Sequence, residues 1–189
     1  KMVNEGKNDT ITQFKLIITE CKKTFIDKYK EYGPSWRLFR PTSVTDQVYI
    51  KLLRIRSIEE KKTQRIDDPI ELEWVGVINY SIVSIWLLRS LAPEFRLPAP
   101  NEDSDFIEEV YDRIIKEVEV LLTQKNHDYD GAWRKLRPTS LTDLCLVKIS
   151  RIKQIEDQPE RESGFESIIS NYMDIINYGI FALILLRSK

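Results

Sequence analysis

The feature that most restricts the fold is an internal duplication. The stretch Tyr32-Gly-Pro-Ser-Trp36-Arg37-Leu-Phe-Arg40-Pro41-Thr42-Ser43-Val-Thr45-Asp46 returns as Tyr129-Asp-Gly-Ala-Trp133-Arg134-Lys-Leu-Arg137-Pro138-Thr139-Ser140-Leu-Thr142-Asp143, at a constant offset of 97 residues. The same offset relates Lys51 to Lys148, Arg54 to Arg151, Ile55 to Ile152 and Glu59 to Glu156. One residue is then gained, and at an offset of 98 Ile78-Asn79-Tyr80 matches Ile176-Asn177-Tyr178. A period this long exceeds that of ordinary solenoids. It implies two copies of one unit, packed together about a pseudo-twofold axis.

Each copy reads as three helices. Phe14, Ile17, Ile18, Cys21 and Phe25 have the i, i+3, i+4 spacing of one helix face, as do Tyr111, Ile114, Ile115, Val118 and Leu122. Pro34 and the Asp130-Gly131 pair mark the turns that follow. Ser43 and Ser140 are expected to open the second helices, with Asp46 and Asp143 three residues on as in a capping box. The third helices follow Pro69 and Ser163. They are apolar on nearly every face around Ile78 and Ile176, which places them at the centre of a bundle. The expected organisation is all-α: repeat one over 1–92, a Pro-rich acidic linker over 93–104, and repeat two over 105–189.

Composition narrows the class of partner. Lys and Arg total 29 and Asp and Glu total 30, so the broad basic footprint of a nucleic-acid binder is absent. Nucleic acid is a disfavoured partner, and a homo-oligomer is left open. The most apolar run, Trp74 to Leu88, is shorter than the ~20 residues of a membrane span, so no membrane is expected. No apolar leader precedes the first helix, and the two Cys are isolated, which suggests a reducing cytoplasm.

The repeat also ranks the polar residues. Positions filled alike in both copies include Trp36, Arg37, Arg40, Ser43, Lys51 and Arg54, with Trp133, Arg134, Arg137, Ser140, Lys148 and Arg151 as partners. Lys51 and Arg54 share a helix face, and Arg40 precedes that helix's N-terminus, where free N–H groups favour anions. An Arg binds phosphate bidentately and a Trp offers a stacking surface. These residues therefore form a candidate nucleotide-binding set. The alternative is structural: ion pairs between helices, Trp36 as a core anchor, and Asn79 satisfying an apolar centre across the axis. Asp46 and Asp143 compete with phosphate at a helix N-terminus, and with Asp174 they are better suited as Mg²⁺ ligands that would bridge to phosphate. Other chemistry is disfavoured. The single His127 is replaced by Lys30 in copy one. Cys21 and Cys145 each correspond to Val, as small buried apolar residues do.

On the Tyr-x3-Trp-Arg-x2-Arg-Pro-Thr-Ser-x-Thr-Asp stretch, with Lys51-x2-Arg54-Ile55 and Ile78-Asn79-Tyr80, both halves resemble a family called nucleotide modification associated domain 1. That resemblance implies an all-helical unit acting near systems that handle modified nucleotides. A more distant similarity is to the MazG-like all-α nucleoside triphosphate pyrophosphohydrolases, which hold Mg²⁺ on Glu-Glu-x-x-Glu and Glu-x-x-Asp pairs. Neither pair is complete here. Asp174 stands at the closing acid but Asn171 replaces its partner, while copy one has Glu73 and then Gly76. Two readings stay open: a nucleotide-binding protein, extending to Mg²⁺-dependent pyrophosphohydrolysis, and a non-enzymatic helical scaffold or interaction module.

Overall fold

The computed structural model describes residues 5–63, 65–129, 131–158 and 164–188. Six helices are described: α1 (Glu5–Tyr32), α2 (Pro41–Lys61), α3 (Ile70–Arg89), α4 (Ser104–Tyr129), α5 (Pro138–Glu156) and α6 (Gly164–Arg187). Single 3-10 turns cover Ser35–Leu38, Pro93–Phe95 and Ala132–Lys135. There is no strand among the described residues. Asp130 and Ser163, used above as a turn marker and a helix start, lie outside the described residues.

Local chemistry sets the helix ends. Gly33 ends α1 in the left-handed region, at φ 65°, and donates its N–H to the Tyr29 carbonyl at 2.7 Å. Only glycine takes that conformation without a Cβ penalty. The second helices start two residues earlier than expected. Pro41 and Pro138 open them, with Arg40 and Arg137 as the preceding cap residues. Proline's fixed φ and missing N–H suit the first helical position. Ser43 and Ser140 are therefore already inside the helix, and no side-chain cap bond forms at either end. The expected capping box is not made: Asp46 is exposed in the following turn and accepts a hydrogen bond from Lys153 on α5 instead, at 3.1 Å.

The third helices occupy the middle. Trp74, Val77, Ile78, Ile82, Ile85 and Trp86 of α3 are fully buried, as are Ile175, Ile176, Ile180, Ala182 and Leu183 of α6. The two pack on each other, α2 covers α3, α5 covers α6, and α2 also meets α5. Gly179 allows the close approach at the axis; a Cβ there would stand 2.9 Å from Ile78 Cγ1. Length does not argue against a membrane span, contrary to expectation. α3 and α6 have 20 and 24 residues and are apolar enough to cross a bilayer. The distinguishing fact is that 72% and 78% of their apolar windows are buried within the protein.

The twofold relation is visible in individual contacts. Arg89 of α3 holds Glu117 of α4 at 2.8 Å, and its equivalent Arg187 of α6 holds Glu20 of α1 at 2.5 Å. Thr45 donates to Glu156 at 3.2 Å, and Thr142 donates to Glu59 at 3.0 Å. Each of these contacts joins the two copies, as does the packing of α3 on α6. The segment between the copies is pinned down. Phe95 is buried, Trp86 donates its indole N–H to the Arg96 carbonyl at 3.1 Å, and Arg37 donates to the Pro98 carbonyl at 3.1 Å.

Candidate nucleotide site

Each repeat encloses a cavity between its first helix, its 3-10 turn and its third helix. The copy-one cavity measures about 500 Å³, and the copy-two cavity about 380 Å³. Their walls are equivalent. Trp36, Asn79 and Tyr80 line the first; Trp133, Asn177 and Tyr178 line the second. Three of the twice-present pairs thus line two matching concavities of small-ligand size.

In copy one, Lys51 lies across Gly76, 5.7 Å from the centre of the Tyr80 ring. Its ammonium is 3.7 Å from Glu73, a buried carboxylate that also pairs with Arg54. Copy two keeps the lysine but moves the acid. Lys148 meets Asp174 at 3.1 Å, and Lys125 meets the other oxygen of the same carboxylate at 2.5 Å. The split of acids seen in the sequence therefore has a physical consequence. Each copy holds one buried carboxylate against two cations, approached from successive turns of the third helix.

The tryptophans are held by other rings. Trp36 is half buried and packs against Trp86, with ring centres 4.8 Å apart. Trp133 is stacked on Phe181 at 4.2 Å and an interplanar angle of 6°. Both anchor the turn after the first helix while lining a cavity. Asn79 supports its structural reading. It donates to the Cys21 carbonyl at 3.0 Å and accepts from the Tyr111 hydroxyl at 2.8 Å, linking both copies. Asn177 does not repeat this: both polar atoms of its buried amide, and the buried indole nitrogen of Trp133, have no hydrogen-bond partner. The sequence pairs Asn177 with Asn79 but does not show that only Asn79 finds partners.

The remaining nominated residues fall outside the cavities. Arg134 reaches back to Thr10 at 3.1 Å and to Gln13 at 2.6 Å, fastening the 3-10 turn to α1. Arg40, Arg137 and Arg151 are exposed, and Ser43 and Ser140 are half buried in the first turns of α2 and α5. Asp46 faces Lys153, and Asp143 is 3.9 Å from Arg56. The three acids nominated for Mg²⁺ thus occupy three separate ion pairs. Among the described residues no group of three or more His, Cys, Asp or Glu side chains is placed to hold a metal. Mg²⁺ prefers octahedral oxygen coordination, and this arrangement does not fit it.

Two carboxylates at the α2–α5 crossing are electrostatically perturbed. Burial pushes Glu59 and Glu156 above the ordinary carboxylate range, against the opposing hydrogen bonds from Thr142 and Thr45. Burial likewise pushes the Cys21 thiol up to about 12 and raises Cys145 as well. Neither thiol has the lowered pKa of a nucleophile.

No curated protein and no solved structure matches this chain. A family profile does, twice, over residues 28–88 and 125–186, which together span well over half of the sequence and fall one in each of the two copies. The chain belongs to the family described as nucleotide modification associated domain 1.

Proposed function

We propose that this protein binds a nucleotide, or a modified nucleotide, in the cavities formed by its repeats. One observation carries the reading: three side-chain pairs present in both copies, Trp36/Trp133, Asn79/Asn177 and Tyr80/Tyr178, line two equivalent cavities. The combination is chemically apt. Aromatic walls suit a base, the unbonded amide of Asn177 suits a base edge, and Lys51 and Lys148 at the acid-bearing side suit a phosphate. The family assignment places the chain among proteins associated with nucleotide modification. Binding is favoured over Mg²⁺-dependent pyrophosphohydrolysis because the nominated acids are dispersed and cation-paired. A cytoplasmic location fits this reading.

The test is thermal denaturation with each deoxynucleoside mono- and triphosphate, with and without Mg²⁺. A ligand at a hundred times its Kd stabilises by about 2.7 kcal/mol. The combined substitution Lys51→Met and Lys148→Met is expected to abolish the shift and still fold, because Glu73 retains Arg54 and Asp174 retains Lys125. No shift with any of these nucleotides overturns the proposal. A second reading, a helical scaffold, is favoured by the pairing of Lys51, Arg54, Lys125 and Lys148 with acids of the same chain. It expects the same substitutions to lower unliganded stability and no nucleotide to bind.

A further inference from the structure

The two repeats carry the same asparagine in unequal surroundings. Asn79 is saturated by the Tyr111 hydroxyl and the Cys21 carbonyl. The residue equivalent to Tyr111, 97 positions earlier, is Phe14, which has no hydroxyl. Asn177 is 4% exposed, lines the copy-two cavity, and has neither its amide nitrogen nor its amide oxygen bonded. Trp133 lines the same cavity, and its buried indole N–H is also unbonded. A buried amide and a buried N–H left without partners each destabilise the fold. Three orphaned atoms thus belong to two side chains that line one cavity, the residues lining its twin carry none, and a ligand in that cavity can complete the hydrogen bonding.

We infer that the copy-two cavity reads the hydrogen-bonding edge of a nucleotide base through Asn177 and the Trp133 indole. The edge of an amide offers a donor beside an acceptor, and the indole adds a donor. Each base presents a complementary edge of one donor and two acceptors: thymine and uracil through a carbonyl, an N–H and a carbonyl; cytosine through its amino group, ring nitrogen and carbonyl; guanine through N7, O6 and N1–H; adenine through N7, its amino group and N1. Lys125 and Lys148 outnumber Asp174, leaving a local positive charge for a phosphate.

This inference rests on the nucleotide-binding reading, and its test separates the two. The full chain is titrated with dTMP, dCMP, dAMP and dGMP by calorimetry, and the tryptophan indole N–H resonances are followed by NMR, with Trp133 assigned through Trp133→Phe. The expected result is that at least one of the four nucleotides binds and moves the Trp133 indole resonance. Asn177→Leu weakens that binding at least tenfold; should that variant fail to fold, the indole resonance of the native chain decides. Binding with an unmoved indole resonance, or unchanged affinity in a folded Asn177→Leu, overturns the copy-two assignment and leaves nucleotide binding standing. No binding of any of the four overturns both.

Discussion

Phe14→Tyr is the sharpest probe of the duplication. Phe14 is 1% exposed on α1, and its equivalent Tyr111 is fully buried on α4. The α4–α3 contact around Tyr111 and Asn79 has its mirror in the α1–α6 contact, as the pairs Arg89–Glu117 and Arg187–Glu20 show. The substitution therefore places a hydroxyl where Asn177 lacks one. If the twofold relation holds at this level, the new hydroxyl and the orphaned amide oxygen form a bond worth a net ~0.5–1.5 kcal/mol. For a chain of this size each kcal/mol moves Tm by ~2–4 °C, so a rise of about 1–6 °C is expected. The opposite case has the opposite sign. A hydroxyl buried without a partner costs ~1–3 kcal/mol, and insertion into a full core adds to it. Calorimetric melting of the wild type and Phe14→Tyr reads the answer directly. In an Asn177→Leu background the gain should vanish, because its partner is gone. A fall in Tm of several degrees, or a gain that survives Asn177→Leu, would refute the reasoning. The same variant should weaken any ligand that uses the Asn177 amide, since that amide is then occupied.

Other expectations concern the crossing of α2 and α5, the thiols and the axis. Burial raises Glu59 and Glu156, so the folded chain holds their protons more tightly than the unfolded chain does, and stability falls as pH rises from the ordinary value of 4.5 through the raised ones. Glu59→Gln with Glu156→Gln should raise Tm at pH 7 and flatten its decline over that window; Asp143 and Arg56 around Glu59, and Asp46 and Lys153 around Glu156, stay in place. Glu20 and Glu102, held down chiefly by hydrogen bonds from Arg187 and Arg96, act in the other direction and lose stability as pH falls, so the curve should show both limbs. Cys21 and Cys145 are fully buried with raised pKa values, and a thiol reagent should label neither in the native chain and both after unfolding in guanidinium. Ile78→Ala removes a fully buried side chain that packs against Gly179, and should lower unfolding free energy by ~2–5 kcal/mol in denaturant melts.

Much of the architecture is legible in the chain because it is written in periodicity. The apolar faces of α1 and α4, the all-round apolarity of α3 and α6, and the repeat offset determine three helices per copy and which of them lies inside. The prolines between α3 and α4 mark a break in helix, but they do not show how that segment attaches through Phe95, Trp86 and Arg37. Helix starts were less legible. Pro41 and Ser43 both carry initiation signals, and the choice of Pro41 depends on local backbone geometry.

What the sequence by itself determined is the set of twice-present residues, because identity between copies needs no coordinates. The tertiary structure decided which of them share a cavity. It put Trp36, Lys51 and Asn79 around one space and left Arg40, Arg137 and Arg151 in solvent. It also decided that identical asparagines differ in state. Asn79 draws one partner from α1 and one from α4 on the opposite repeat, while Asn177 has none; the residue equivalent to Tyr111 is Phe14. A hydrogen bond between residues far apart in the chain depends on how helices pack, and Phe14 lacks the hydroxyl that Tyr111 gives to the amide oxygen of Asn79.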